Sequence, residues 1–130
     1  MNELALIIED DLDLADIFAE ALRGVGFRVD HAADGKKAQE RLLNGEPPYL
    51  ILLDMHLPHI SGGQLLTDIL KKDSRFEKTI IIITTADARM GEAYGDMVDF
   101  VMIKPISFVQ LRDLTARLRP KSSPNQENAA

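Results

Sequence analysis

Leu4-Ala5-Leu6-Ile7-Ile8-Glu9-Asp10-Asp11 sets five unbroken apolar residues against three acids. An apolar run this short, without alternation and closed by charge, reads as a strand buried on both faces. Two further runs have the same form: Tyr49–Leu53, closed by Asp54, and Thr79–Thr84, with four isoleucines in a row. Between them lie segments of helical period. Leu14, Ile17, Phe18, Ala21 and Leu22 form one such face, stopped by Gly24 and Gly26. Phe27–His31 is a short alternating strand. Asp34 is an N-cap for a helix carrying Ala38 and Leu42; Asn44-Gly45 ends it and Pro47-Pro48 bars its continuation. Leu65, Leu66, Ile69 and Leu70 mark a third helix. Residues 86–96 mark a fourth, weakened at Gly91 and Gly95 by around 1 kcal/mol each relative to alanine. Val98–Ile103 is a fifth strand. Ser107-Phe108-Val109-Gln110 has capping-box form and opens a helix with Phe108, Leu111, Leu114 and Leu118 on one side.

Five βα units in alternation predict an α/β fold, a parallel sheet covered by helices on both faces. The 130 residues fit one domain. The hydrophobic share of 45% and charged share of 28% exclude a wholly disordered, collagenous or coiled-coil chain. There is no cysteine, hence no disulfide framework, thiolate zinc site or cysteine nucleophile. Fifteen Lys+Arg against 21 Asp+Glu leave a formal charge of −6, with no clustered basic patch, so direct nucleic-acid binding is not expected. Met1-Asn2-Glu3-Leu4 has no basic region ahead of its apolar run, and no run nears the about 18 residues of a membrane span. A cytoplasmic protein without a membrane partner is expected. Residues 1–119 form the expected domain; residues 120–130 lack apolar period and are expected to be a flexible tail.

In an open parallel sheet, ligands bind beyond the carboxyl ends of the strands. Those ends carry Glu9, Asp10 and Asp11 after strand 1, Asp54 after strand 3, Thr84 and Thr85 after strand 4, and Lys104-Pro105 after strand 5. Strand 2 leads only into Ala32 and Ala33, as an edge strand outside the site would. With strands 1 and 3 as neighbours about 4.8 Å apart, Glu9, Asp10 and Asp54 crowd one crevice. Like charges that close are destabilising, and a hard divalent cation relieves them; Mg²⁺, which shares its shell with waters and phosphate oxygens, is the natural choice. Any one of these acids alone reads more simply as a helix cap, which suffices for Asp11, Asp13 and Asp16 but accounts less well for Asp54. Lys104 reads either as a snorkelling lysine or as the ammonium that faces the acids and later a phosphoryl oxygen. Thr84 and Thr85 are β-formers, and one of their hydroxyls is placed to meet a phosphoryl oxygen. A Lys104–Pro105 bond taken from sequence alone is trans, since only about 5–6% of such bonds are cis. His31 and His59 lack metal-ligand spacing and read as a strand residue and a solvated loop residue. Arg112, Arg117 and Arg119 read as a solvated helix face.

Ile7-Ile8-Glu9-Asp10-Asp11, Leu53-Asp54-Met55-His56-Leu57-Pro58-His59-Ile60-Ser61-Gly62, Ile83-Thr84-Thr85-Ala86 and Ile103-Lys104-Pro105-Ile106 together resemble the receiver domain of two-component response regulators. The resemblance runs from about Glu3 to Arg119. It implies a flavodoxin-like, doubly wound sheet in the order 2-1-3-4-5, an order found in receiver proteins. It implies that Asp54 is the phosphoacceptor for a sensor histidine kinase. Asp10 and Asp54 would then bind Mg²⁺ directly, with the His56 backbone carbonyl as a further ligand and Glu9 acting through a water. Thr85 would be the switch hydroxyl, Lys104 the phosphoryl contact, and Lys104–Pro105 a cis peptide. Pro58 and Gly62 would shape the loop after the acceptor, and the side chains of His56 and Asp87 would sit where the phosphoryl lifetime is tuned. Such a chain is a signalling domain rather than an enzyme with an external substrate.

Two features depart from the family pattern. Thr85 and Lys104 are 19 positions apart, a few fewer than usual, which predicts a short or irregular helix 4. The family's switch aromatic, three residues before the lysine, is here Val101, with Phe100 ahead of it. Either the register of strand 5 differs or the threonine–aromatic coupling is missing. A stand-alone phosphoacceptor switch that binds another protein is the leading expectation, with only about a dozen residues after the last helix and a monomer or weak phosphorylation-dependent dimer as its state. The alternatives are a shuttle to a histidine phosphotransfer protein and a phosphorylation-independent scaffold module. A flavin carrier is disfavoured, because Glu9-Asp10-Asp11 would repel the flavin phosphate.

Overall fold

The computed structural model describes residues 3–120; the tail expected at 120–130 lies, beyond Pro120, outside the described residues. Strand β1 spans Leu4–Ile8, helix α1 Leu12–Gly24, β2 Arg28–Ala32, α2 Gly35–Asn44, β3 Leu50–Asp54, α3 Gly62–Leu65, β4 Ile80–Thr85, α4 Ala88–Tyr94, β5 Phe100–Ile103 and α5 Phe108–Leu118. The five strands are parallel and lie in the order β2-β1-β3-β4-β5, as the receiver resemblance implies.

The continuous apolar strands are those with a helix layer on each face. Leu6, Ile8, Ile51, Leu53, Ile81 and Ile83 face one layer with Ala38, Leu42, Leu65, Leu66 and Phe76. Ala5, Ile7, Leu50, Leu52 and Ile82 face the other, against Phe18, Leu22 and Leu111. Every residue of β1 and β3 is buried. β2 is an edge strand, mostly exposed, as the Ala32 and Ala33 at its end suggested.

Capping follows the sequence. Asp11 accepts from the N–H groups of Asp13 and Leu14, and Asp34 from that of Lys37. Ser107 and Gln110 close the foreseen reciprocal cap. The third helix departs from the even period expected of it: α3 passes into a π-helical turn, Leu66–Leu70, where Lys71 N–H reaches back five residues to Leu66. Helix α4 is short, as the spacing predicted, with a 3₁₀ turn at Gly95–Met97 after it. Phe108, placed on the packed side of the last helix, is instead 36% exposed at its first turn, with the Arg112 guanidinium over its ring at 5.9 Å from the centroid.

Candidate functional site

The parallel sheet brings the carboxyl ends of β1, β3, β4 and β5 to one edge. Glu9 leaves β1 with its backbone tied to β2: its N–H donates to Ala32 O at 3.2 Å, and His31 Nε2 lies 2.7 Å from its carbonyl oxygen. Asp54 is the last residue of β3 and pairs in register with Thr84. Lys104 follows β5, its N–H donating to Thr85 O at 2.8 Å, and its peptide bond to Pro105 is cis.

These anchors put three carboxylates together. Oxygens of Glu9, Asp10 and Asp54 lie within 4.8 Å of one another, with Glu9 and Asp54 buried and Asp10 exposed. Lys104 Nζ stands 3.0 Å from Glu9 Oε1 and 3.4 Å from Asp54 Oδ2. Backbone N–H groups take the other oxygens: Asp11 donates to Glu9 Oε2 at 3.2 Å and His56 to Asp54 Oδ1 at 3.0 Å. One ammonium does not balance three carboxylates. Burial, with Asp54 alongside, pushes Glu9 up from 4.5 to about 7, against the lowering pull of Lys104 and the Asp11 N–H. Burial works against the charge on Lys104, but Glu9 and Asp54 outweigh it and hold its pKa up.

Hard oxygen donors with a surplus of negative charge and one open, exposed member fit a small divalent cation such as Mg²⁺. Thiolate metals find no matching set here, since there is no cysteine; the His31 ring nitrogen nearest Glu9 is turned to a backbone carbonyl, and the ligand group found among the described residues is the carboxylate set alone.

Thr85 belongs to the same edge and is fully buried, yet its hydroxyl is turned to the start of α4. Its Oγ1 accepts from Asp87 N–H at 3.0 Å and donates to Asp87 O at 3.3 Å. Asp87 caps α4 through Arg89 N–H, and its ion pair with the Arg89 guanidinium holds the carboxyl below its ordinary value. Gly62 packs its α-carbon against the Asp54 carbonyl and Met55, where any β-carbon would collide. In β5, Val101 pairs with Ile83 and Ile103 with Thr85, so the register is regular and a valine does stand in the place of the switch aromatic. Alternation turns Phe100 to the opposite face, and it is 37% exposed.

The contact from His31 to the Glu9 carbonyl was not anticipated; the pairing of Ile7 with His31 in adjacent strands is what creates it. A cleft of about 630 Å³, lined by Lys72, Lys78, Asp96 and Asp99 among others, opens near the start of β4, at the other end of the sheet from the acids.

The sequence profile of the response regulator receiver domain matches residues 5–116. The chain belongs to this family. The "Probable methanogenesis regulatory protein FilR2" of Methanothrix harundinacea is 30% identical over 118 residues, spanning 84% of this chain and 76% of that protein. Among solved structures, the chemotaxis response regulator CheY4 of Vibrio cholerae superposes with a TM-score of 0.78 at 20% identity, covering 91% of this receiver domain and 99% of that chain. A CheY-like receiver domain from Methylobacillus flagellatus gives 0.77 at 24% identity, covering 92% and 100%. These structures share the receiver fold. Receiver domains are phosphoacceptor modules of two-component systems, and the acidic cluster of this one fits their Mg²⁺ and phosphorylation site. No helix among the described residues is long and apolar enough to cross a membrane.

Proposed function

We propose that this receiver domain takes a phosphoryl group from a sensor histidine kinase onto Asp54 and signals through phosphorylation-dependent binding to another protein. The observation that carries the reading is the joint contact of Lys104 with Glu9 and Asp54 beside Asp10. An Asp54 carboxylate oxygen attacks phosphorus, a P–O bond forms, and the P–N bond to the kinase imidazole breaks with its electron pair staying on the ring nitrogen. The product is an aspartyl phosphate.

Such transfer needs in-line placement and neutralisation of the equatorial oxygens more than covalent help. Asp10 and Asp54 would hold Mg²⁺ directly, the His56 carbonyl would add a ligand, and Glu9 would reach it through a water. When bound, the ion shields phosphoryl charge. His56 N–H fixes one Asp54 oxygen, which orients the nucleophile. Lys104, held between Glu9 and Asp54, is placed to exchange a carboxylate for a phosphoryl oxygen. Thr85 supplies a second donor once its hydroxyl leaves Asp87. The same reading places the functional unit within residues 1–119 and the protein in the cytoplasm, where such kinases present their phosphohistidine.

Incubation with acetyl phosphate, with and without Mg²⁺, followed by peptide mapping tests it. Mg²⁺-dependent phosphorylation on Asp54, lost in Asp54→Asn, is expected. Labelling elsewhere, or none, would overturn the reading.

A further inference from the structure

Helix α4 touches segments that flank the acceptor pocket at both ends. At its start, Asp87 is tied to the Thr85 hydroxyl by the two bonds given above. At its end, Tyr94 lies over Gly63, so closely that a β-carbon on Gly63 would come 2.6 Å from the Tyr94 hydroxyl oxygen. Gly63 follows Gly62, whose α-carbon packs on the Asp54 carbonyl. The first contact therefore leads to a hydroxyl that a phosphoryl on Asp54 would engage, and the second to the loop that packs on the Asp54 backbone.

Between its ends α4 is lightly held. It spans seven residues and none of them is buried. Gly91 lets it settle on Val101, where a β-carbon would come 2.9 Å from Cγ1. Met90 and Tyr94 supply its partly buried apolar contacts with the core. An element with few buried contacts has a low cost of local opening. The Thr85 hydroxyl has one proton. Phosphoryl oxygens only accept, so a hydroxyl that donates to one of them no longer donates to Asp87 O.

We propose that Tyr94 is the aromatic group through which α4 reports the state of Asp54, in a chain whose fifth strand offers Val101 instead. With Asp54 free, Thr85 holds Asp87 and Tyr94 rests on Gly63. With Asp54 phosphorylated, Thr85 turns inward, α4 loses its N-terminal tie, and Tyr94 leaves Gly63. A local bond exchange thereby biases a two-state element. This rests on the phosphoacceptor reading and adds to it the route from the pocket to the surface.

The chain has two tyrosines, and Tyr49 is bonded through its hydroxyl to Leu118 O, on the α5 side of the sheet. Nitration with tetranitromethane, mapped by peptide mass, therefore reads Tyr94 with Tyr49 as an internal reference. Phosphorylation on Asp54 is measured in the same sample. The expected result is several-fold faster nitration of Tyr94 on phosphorylation, with Tyr49 unchanged. In Gly63→Ala, Tyr94 should react at the fast rate before phosphorylation, while Asp54 still takes up phosphoryl. Phosphorylated Asp54 with unchanged Tyr94 reactivity in the wild-type chain would overturn the coupling and leave the phosphoacceptor reading standing. A chain that takes up no phosphoryl would overturn both. Should Gly63→Ala fail to fold, the wild-type comparison decides alone.

Discussion

Lys104 Nζ lies 3.0 Å from Glu9 Oε1, a contact that joins residues 95 positions apart along the chain. The parallel sheet makes it possible, because β1 and β5 both end at the edge where Asp54 closes β3. Glu9 is nearly inaccessible, with its side chain 2% exposed, while that of Lys104 is 22% exposed. The ammonium is therefore the wet end of a buried carboxylate cluster.

Replacing that ammonium leaves Glu9 and Asp54 buried without a counter-charge. In Lys104→Met, the metal-free protein should lose about 2–3 kcal/mol at alkaline pH by urea denaturation, and less at acidic pH, where Glu9 takes up a proton instead. Phosphorylation by acetyl phosphate should slow by about 10²-fold. An unchanged labelling rate would remove Lys104 from the chemistry.

The raised Glu9 pKa makes the metal-free stability fall with rising pH. Between the ordinary value of 4.5 and about 7, the folded protein holds more of this proton than the unfolded chain does. The contribution is full below 4.5 and is lost as pH climbs through about 7. Thermal unfolding without metal should show this decline, Glu9→Gln should flatten it, and added Mg²⁺ should raise Tm most at the alkaline end. A wild-type Tm that does not fall across that window would contradict the crowding of Glu9.

Thr85→Ala removes the hydroxyl that ties Asp87 to β4. The loss should cost about 1 kcal/mol. Amide exchange should quicken at residues 87–94, with β3 unaffected. Uniform quickening across the sheet would mean that Thr85 supports the core rather than α4.

Gly91 tests the seat of α4. Alanine gains roughly 1 kcal/mol of helix propensity over glycine. Its β-carbon would meet Val101 Cγ1 at 2.9 Å, and a branched side chain at that place has little room to turn. Gly91→Ala alone should therefore fail to stabilise the protein. In a Val101→Ala background the same change should recover the propensity gain, a coupling that a double-mutant cycle reads. Equal effects in both backgrounds would place α4 away from Val101.

Much of this was legible in the chain. β1, β3 and β4 carry continuous apolar runs because each is covered on both faces, and the acids that end β1 and β3 mark the edge where a ligand binds. The short α4 was foreshadowed by the spacing from Thr85 to Lys104, and Val101 by counting back from the lysine. The misplaced strand starts have local causes. Phe27 N–H bonds to Leu22 O, so that residue closes the end of α1 rather than opening β2. Asp99, counted into β5, instead turns its carboxylate to the N–H of Ile81 at 2.8 Å. The π-helical turn after α3 leaves the apolar spacing of Leu65, Leu66, Ile69 and Leu70 unchanged, so periodicity could not reveal it. Tyr94 over Gly63 and His31 on the Glu9 carbonyl are contacts between distant segments of chain, which no local pattern encodes.

The most direct measurement of the central claim is a crystal structure of the protein grown with Mg²⁺ and beryllofluoride, a mimic of the phosphoryl group. The expected result is beryllofluoride joined to the Asp54 carboxylate and touching Lys104, with a cation held by Asp10 and Asp54. Beryllofluoride bound elsewhere, or a cation site that excludes Asp54, would contradict the account.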